Sequence, residues 1–241
     1  MRPAAAVLLW IAVWYAAAQL VNPHLLIRIP LPHRTLAVFF SDCGNASFWS
    51  AVLISLFHIL GGFCAGALFG SLIGILSSRF AAFRSITAPL LHLIRSVPVA
   101  AFIILAWLWI PNAILPSFIA FLMVTPVLCQ SVRSGYAASD ESLIEMAGVM
   151  GMRRKAIFFH IRLPLLAPFL REGCITGLGF AWKSGIAAEV ICNPTGSIGS
   201  LLSAAKSSID YEQVFAVTLT IVLLSFLLEN LLKFLWKEQQ R

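Results

Sequence analysis

The sequence predicts an all-α, polytopic membrane protein, and three observations carry that expectation. Of the 241 residues, 60% are hydrophobic and only 11% charged, whereas a soluble domain carries roughly a quarter charged residues. Mean hydropathy is +0.91. Several apolar runs approach or exceed the roughly 20 residues with which a helix crosses a bilayer. These runs fall at about 4–21, 48–76, 90–110, 113–132, 170–191 and 214–236, giving one six-span domain over residues 1–241.

Residues 4–21 follow a basic start and end near Ala16, Ala17 and Ala18, a pattern shared with secretory signal peptides. The length of the run, with Trp10, Trp14 and Tyr15 inside it, favours a retained first span. Asn22–Ala46 reads as a loop with prolines at 30 and 32, its apolar patches lying along the membrane surface. The second span holds Gly62, Gly66, Gly70 and Gly74, and an interval of four places them on one helix face. In lipid such a ridge lets another helix approach closely, because association there depends on packing. Packing within one chain is favoured over a seam between two.

Ser77–Arg84 is a short basic turn, and the third span carries Arg95, Ser96, Val97 and Pro98. A proline inside a span frees a backbone carbonyl and bends the helix where neighbours satisfy the freed group. Pro111 and Asn112 turn the chain into a fourth span with Pro116 and Pro126. After the fifth span, residues 193–212 form an outer loop in which Ile198–Ser207 can make a short helix.

An even number of spans puts both termini on one side. With that side cytoplasmic, Arg2, Arg79, Arg84, Arg133, Arg153, Arg154, Lys155, Arg162, Lys233, Lys237 and Arg241 are inside. Only Arg28, Arg34 and Lys206 are outside. Eleven against three fixes the orientation by the positive-inside rule. The same count explains the net charge of +7 by topology, without nucleic acid as a partner.

The chemistry of hydrolases is absent: there is no Gly-x-Ser-x-Gly, no His-Glu-x-x-His and no phosphate loop with Lys-Ser/Thr. The chain is therefore expected neither to be an enzyme nor to hydrolyse ATP, and no metal site is expected. His58 and His92 have no second ligand at helical spacing, so packing or a hydrogen bond is favoured over metal binding. Cys64, Cys129 and Cys174 fall in apolar runs and behave as small hydrophobes, while a bridge between Cys43 and Cys192 is conceivable. Glu229 precedes Lys233 by four residues and can neutralise it.

One polar stretch interrupts the apolar chain at 133–164, on the cytoplasmic side. Asp140 or Ser142 can cap a short helix through Met150, with Glu145 near its first turn. Leu143, Ala147 and Met150 give that helix an apolar face. Gly151 can leave the helix in a left-handed conformation, and Pro164 suits the first turn of the next helix.

The spacing from Glu145 through Ala147 and Gly151 to Ile161, Leu163 and Pro164 resembles the EAA motif of permease subunits in binding-protein-dependent ABC importers. The glycine-ridged second span, the segment from Arg95 to Trp107, the segment from Ala181 to Glu189, and Ser197-Ile198-Gly199 agree with it. Together they resemble the nitrate/taurine/alkanesulfonate branch, from about residue 35 onward. Met146 stands where the motif has a second-position alanine, and Trp109-Ile110-Pro111 lacks a glycine usual after the third span.

The resemblance implies a type I importer permease in the bacterial cytoplasmic membrane, working as a homodimer in the lipid bilayer. Its partners would be two ABC ATPase subunits, which hold the ATP and magnesium, and an extracytoplasmic substrate-binding protein. Glu145, Ala147, Gly151, Arg153, Arg154, Ile161, Leu163 and Pro164 would couple to the ATPase. The translocation pathway would run along the third and fifth spans, past Arg95, Ser96, Pro98, Trp182, Lys183 and Glu189. Arg95 and Lys183 are candidates for an anion-favouring lining. Equally, Arg95 can snorkel to the inner interface and Lys183 can pair with Glu189. A small oxyanion, an organosulfonate or a vitamin precursor is the implied solute. An ion-coupled secondary transporter is the alternative, although no second copy of the polar loop or glycine ridge is visible.

Overall fold

The computed structural model describes residues 3–21, 29–138 and 146–238, and every regular element among them is helical. In chain order these are α1 (Pro3–Val21), α2 (Pro32–Cys43), α3 (Ala46–Arg79), α4 (Ala81–Ser96), α5 (Val99–Trp107) and α6 (Leu115–Ala137). They are followed by α7 (Arg154–Ile157), a π-helical turn (Phe158–Arg162), α8 (Leu163–Cys192), α9 (Ile198–Ser207) and α10 (Tyr211–Glu238).

Residues 22–46, read from sequence as a loop, contain α2. Pro32 supplies the reason: at the first turn its fixed φ is already helical and its missing N–H is one that no helix could satisfy. Gln213 donates to Asp42 at 2.6 Å, and Arg34 lies 3.3 Å from Glu212, so α2 is tied to the start of α10. Trp14 of α1 stacks on Phe215 of α10 at 5.7 Å and donates to the Pro30 carbonyl at 3.1 Å.

The third span departs most from expectation. In place of one bent helix over 90–110, the chain forms α4 and α5, which meet at 103°. Pro98 disfavours helical geometry for the residue before it, and Val97 takes an extended ψ of 132°. α5 is only nine residues long.

α3, α6 and α10 are long and apolar enough to cross a membrane, and the bent pair α4–α5 makes a fourth if it is one span. α8 has the length, with 30 residues, but Arg171, Glu172, Lys183 and Glu189 are distributed along it. In α1 the apolar stretch is the shorter Leu8–Leu20. By length and composition, three or four of the six expected spans therefore qualify.

α6 lies between α3 and α8 and packs extensively on both. Gly62, Gly66, Gly70 and Gly74 are all buried and face α6 of the same chain. A Cβ at Gly66 would lie 2.8 Å from the Phe121 carbonyl oxygen, so the two backbones touch directly. One core cluster joins Val52 and Ile59 of α3, Val124 and Leu128 of α6, and Trp182 and Ile186 of α8. A second holds Ile103 of α5 against Leu115 and Ile119 of α6 and Ala188 of α8.

Candidate functional site

The polar stretch contributes an exposed, sharply ended segment. Glu145, with Asp140, Glu141, Ser142 and Leu143, lies outside the described residues. Residues 146–149 are helical and stop at Gly151, whose φ is +78°. The Met152 N–H donates to the Ala147 carbonyl at 3.1 Å, and the Gly151 N–H to the Gly148 carbonyl at 3.0 Å. That pair of bonds is a Schellman ending, which needs the left-handed residue that glycine supplies without strain. Ala147 is buried, while Val149 and Met150 project outward at 89% and 77% exposure.

Beyond the turn, Arg153 and Lys155 are exposed and Arg154 opens α7. From Arg154 to Cys192 the chain is continuously helical through the π turn. Ile161 is half-buried, and Leu163 and Pro164 are exposed at the start of α8. The Arg162 guanidinium sits 5.3 Å from the centre of the Tyr136 ring. A Cβ at Gly135 of α6 would meet Leu166 Cδ2 at 2.7 Å, so the base of α8 presses on the end of α6. The exposed segment is thus joined through one helix to the core.

Along α8, the three residues read from sequence as pathway candidates have different settings. Trp182 is buried in the core and its indole N–H donates to the Ile221 carbonyl at 3.0 Å. Lys183 is exposed and has no ion pair among the described residues. Glu189 is fully buried. Its Oε2 accepts from the Ser55 hydroxyl at 2.7 Å and from the Gly199 N–H at 3.1 Å, and its Oε1 lies 3.5 Å from His58 Nδ1. The Ser55 oxygen in turn accepts from the Ile198 N–H at 2.9 Å. The pairing of Lys183 with Glu189 raised from sequence is not formed.

This node joins α3, α8 and α9, and sequence reading did not assemble it. α9 begins with a reciprocal capping box between Ser197 and Ser200, which aims its first N–H groups at the Glu189 carboxylate. A Cβ at Gly199 would collide with Glu189 Cβ. Glu189 and Ser197-Ile198-Gly199 were each visible in the sequence; their contact depends on the left-handed Asn193 that turns the chain after α8.

At the elbow between α4 and α5, Arg95 is exposed and donates to the Pro126 carbonyl of α6 at 2.6 Å. The Ser96 hydroxyl donates to the Leu93 carbonyl at 3.1 Å, and Pro98 immediately precedes α5. His58 is bonded as described and His92 is exposed. Cys43 and Cys192 are free thiols, so the conceivable bridge is absent; Cys192 instead donates weakly to the Asn112 carbonyl at 3.8 Å. Glu229 and Lys233 pair at 3.9 Å. No group of three or more metal-ligating side chains occurs among the described residues.

These features define an all-helical integral membrane protein in which an exposed, capped segment is joined to a core helix. The particular family follows from comparison with known proteins. Residues 66–238 match the family described as "binding-protein-dependent transport system inner membrane component", and the chain belongs to it.

Among its relatives, the taurine transport system permease protein of Escherichia coli is 28% identical, the match covering 91% of this chain and 81% of the relative. The riboflavin transport system permease protein of Chloroflexus aurantiacus is 26% identical, over 93% and 87%. The nitrate import permease protein of a Synechocystis species is 25% identical, over 98% and 87%. The protein is a permease subunit of a binding-protein-dependent ABC importer, as the sequence resemblance implied.

Proposed function

We propose that the chain spans the bacterial cytoplasmic membrane six times with both termini inside, and pairs with a second copy of itself. Two ATPase subunits, which carry the ATP and magnesium, dock on the segment 145–164, and an extracytoplasmic binding protein delivers the solute. The chain itself contributes no catalysis. Glu145, Gly151, Arg153 and Arg154 make the docking face, Ala147 is the buried residue that supports it from beneath, and Ile161, Leu163 and Pro164 carry its displacement into α8. Lys183 and Arg95 bias the pathway towards a small anion, which fits relatives named for taurine and nitrate transport.

One observation carries this reading. A Schellman-capped segment with Val149 and Met150 exposed is followed by an unbroken helical path from Arg154 to Cys192, so a push at one end reaches the other. A loop that only set topology would need neither the cap nor the rigid continuation.

The test is a cross-link. A cysteine at Val149, introduced by Val149→Cys, is expected to form a specific bond to a surface cysteine of the cognate ATPase in the purified complex. Ile209→Cys, also exposed but beyond α9, is expected to give none. Equal yields at both positions, or none at Val149→Cys in an assembled complex, defeat the docking assignment.

A further inference from the structure

A second feature of the same end of the molecule is not used by the coupling reading. The ends of α3 and α6, the start of α4 and the segment 148–162 surround a cavity of about 1000 Å³. Four arginines line it, each from a different element: Arg79 of α3, Arg84 of α4, Arg133 of α6 and Arg162 of the π turn. Ser134 and Tyr136 add hydroxyls, and no carboxylate lines the cavity among the described residues.

Among the described residues, none of the four guanidiniums joins an ion pair or donates a hydrogen bond. The ion pairs among the described residues are Arg34–Glu212, His58–Glu189 and Lys233–Glu229. Two of the four lie over aromatic rings. Arg79 lies 5.9 Å from the centre of the Phe80 ring and Arg162 lies 5.3 Å from that of Tyr136. Stacking occupies the flat face of a guanidinium and leaves its N–H edge available to a planar or tetrahedral oxyanion.

We propose that this cavity binds a phosphate-class oxyanion, held by Arg79, Arg84, Arg133 and Arg162. Four like charges around one volume repel one another, and the repulsion is relieved by an anion that several guanidinium forks can share. A phosphate group offers enough oxygens for that sharing. It can come from free phosphate or from the headgroup of an anionic lipid, whose leaflet attracts basic residues at the cytoplasmic surface. Because the cavity is walled by both α6 and the segment leading into α8, an occupant would stiffen that joint. Anion binding there does not require the ATPase, although one wall of the cavity, 148–162, belongs to the segment assigned to docking. A simpler explanation is that Arg79 merely answers the negative end of α3 and that the other arginines follow the topology rule.

The experiment uses the full chain in nanodiscs of pure phosphatidylcholine. Inorganic phosphate is titrated at constant ionic strength against chloride while the thermal midpoint is followed. Parallel discs contain phosphatidylglycerol, and native mass spectrometry counts the lipid retained. The variants are Arg133→Gln/Arg162→Gln and Arg79→Gln/Arg84→Gln, with Lys206→Gln on α9 as the control. Arg133→Lys, which keeps the charge and removes the fork, stands in if a double variant fails to fold.

A saturable rise with phosphate but not chloride, weakened at least tenfold in the arginine variants and unchanged in the control, establishes a free-anion site. Retention of phosphatidylglycerol by the parent and its loss from the arginine variants, without a phosphate response, establishes the headgroup as the source. If phosphate and chloride act alike and every variant retains lipid equally, the simpler explanation holds and the proposal is overturned.

Discussion

Replacing Gly70 with alanine should force α3 and α6 apart, and the geometry sets the size of the effect. A Cβ at that position would lie 2.5 Å from the Thr125 carbonyl oxygen and 3.0 Å from Leu128 Cβ. Close carbon–oxygen contacts settle near 3.3 Å, so a separation of about 0.8 Å must be created. The helices cannot give way locally, because Gly66 and Gly74 bring them together one turn to either side; a Cβ at Gly74 would be 2.7 Å from Val132 Cβ.

Overpacking of this kind costs about 1–3 kcal/mol, while exchanging glycine for alanine in a helix returns about 1 kcal/mol. Gly61 isolates the second term, since a Cβ there meets nothing within 4 Å. In detergent-solubilised protein, Gly61→Ala is expected to match or exceed the parent's thermal midpoint and Gly70→Ala to fall below it. The pair should differ by about 1–3 kcal/mol, the overpacking term alone. A Gly70→Ala protein as stable as Gly61→Ala would refute the claim that the ridge is a backbone contact.

Three further outcomes follow. Glu189→Ala leaves the Ser55 hydroxyl and the Gly199 N–H without their acceptor, at about 1–3 kcal/mol per buried group, and Glu189→Gln, which keeps one acceptor oxygen, should restore part of the loss of thermal midpoint. Gly151→Ala places a side chain at φ +78°, a strain of about 1–2 kcal/mol; because nothing packs near that position, affinity for the ATPase should drop severalfold with the thermal midpoint barely moved. Lys183→Met should slow uptake of an anionic solute in reconstituted vesicles while leaving assembly with the ATPase unchanged, and unaltered uptake would remove Lys183 from the pathway.

Much of the local structure was legible because it depends on local rules. The four glycines announced a close helix contact by spacing alone, and the short helix expected at Ile198–Ser207 has those bounds in the structure. Gly151 announced its turn for the same reason. What escaped was set by distant partners. Pro98 predicts a bend, but an angle of 103° also depends on Arg95 reaching the Pro126 carbonyl and Ile94 entering the core. The pairing of Lys183 with Glu189 was weak on helix geometry, since six residues place two side chains roughly 240° apart around the axis. Glu189 turned inward to Ser55, more than a hundred residues away, and periodicity carries no information about such a partner.

The most direct test of the account is ATP-driven uptake by the chain reconstituted in liposomes with its ATPase and binding protein, measured alongside ATP hydrolysis. Uptake of the solute captured by that binding protein should require ATP and survive collapse of ion gradients. Ala147→Glu, which puts a charge at the buried position of the Schellman turn, should abolish uptake and binding-protein-stimulated hydrolysis together. Uptake that continues without ATP and follows an ion gradient, or that Ala147→Glu leaves intact, would contradict the role assigned to the segment 145–164.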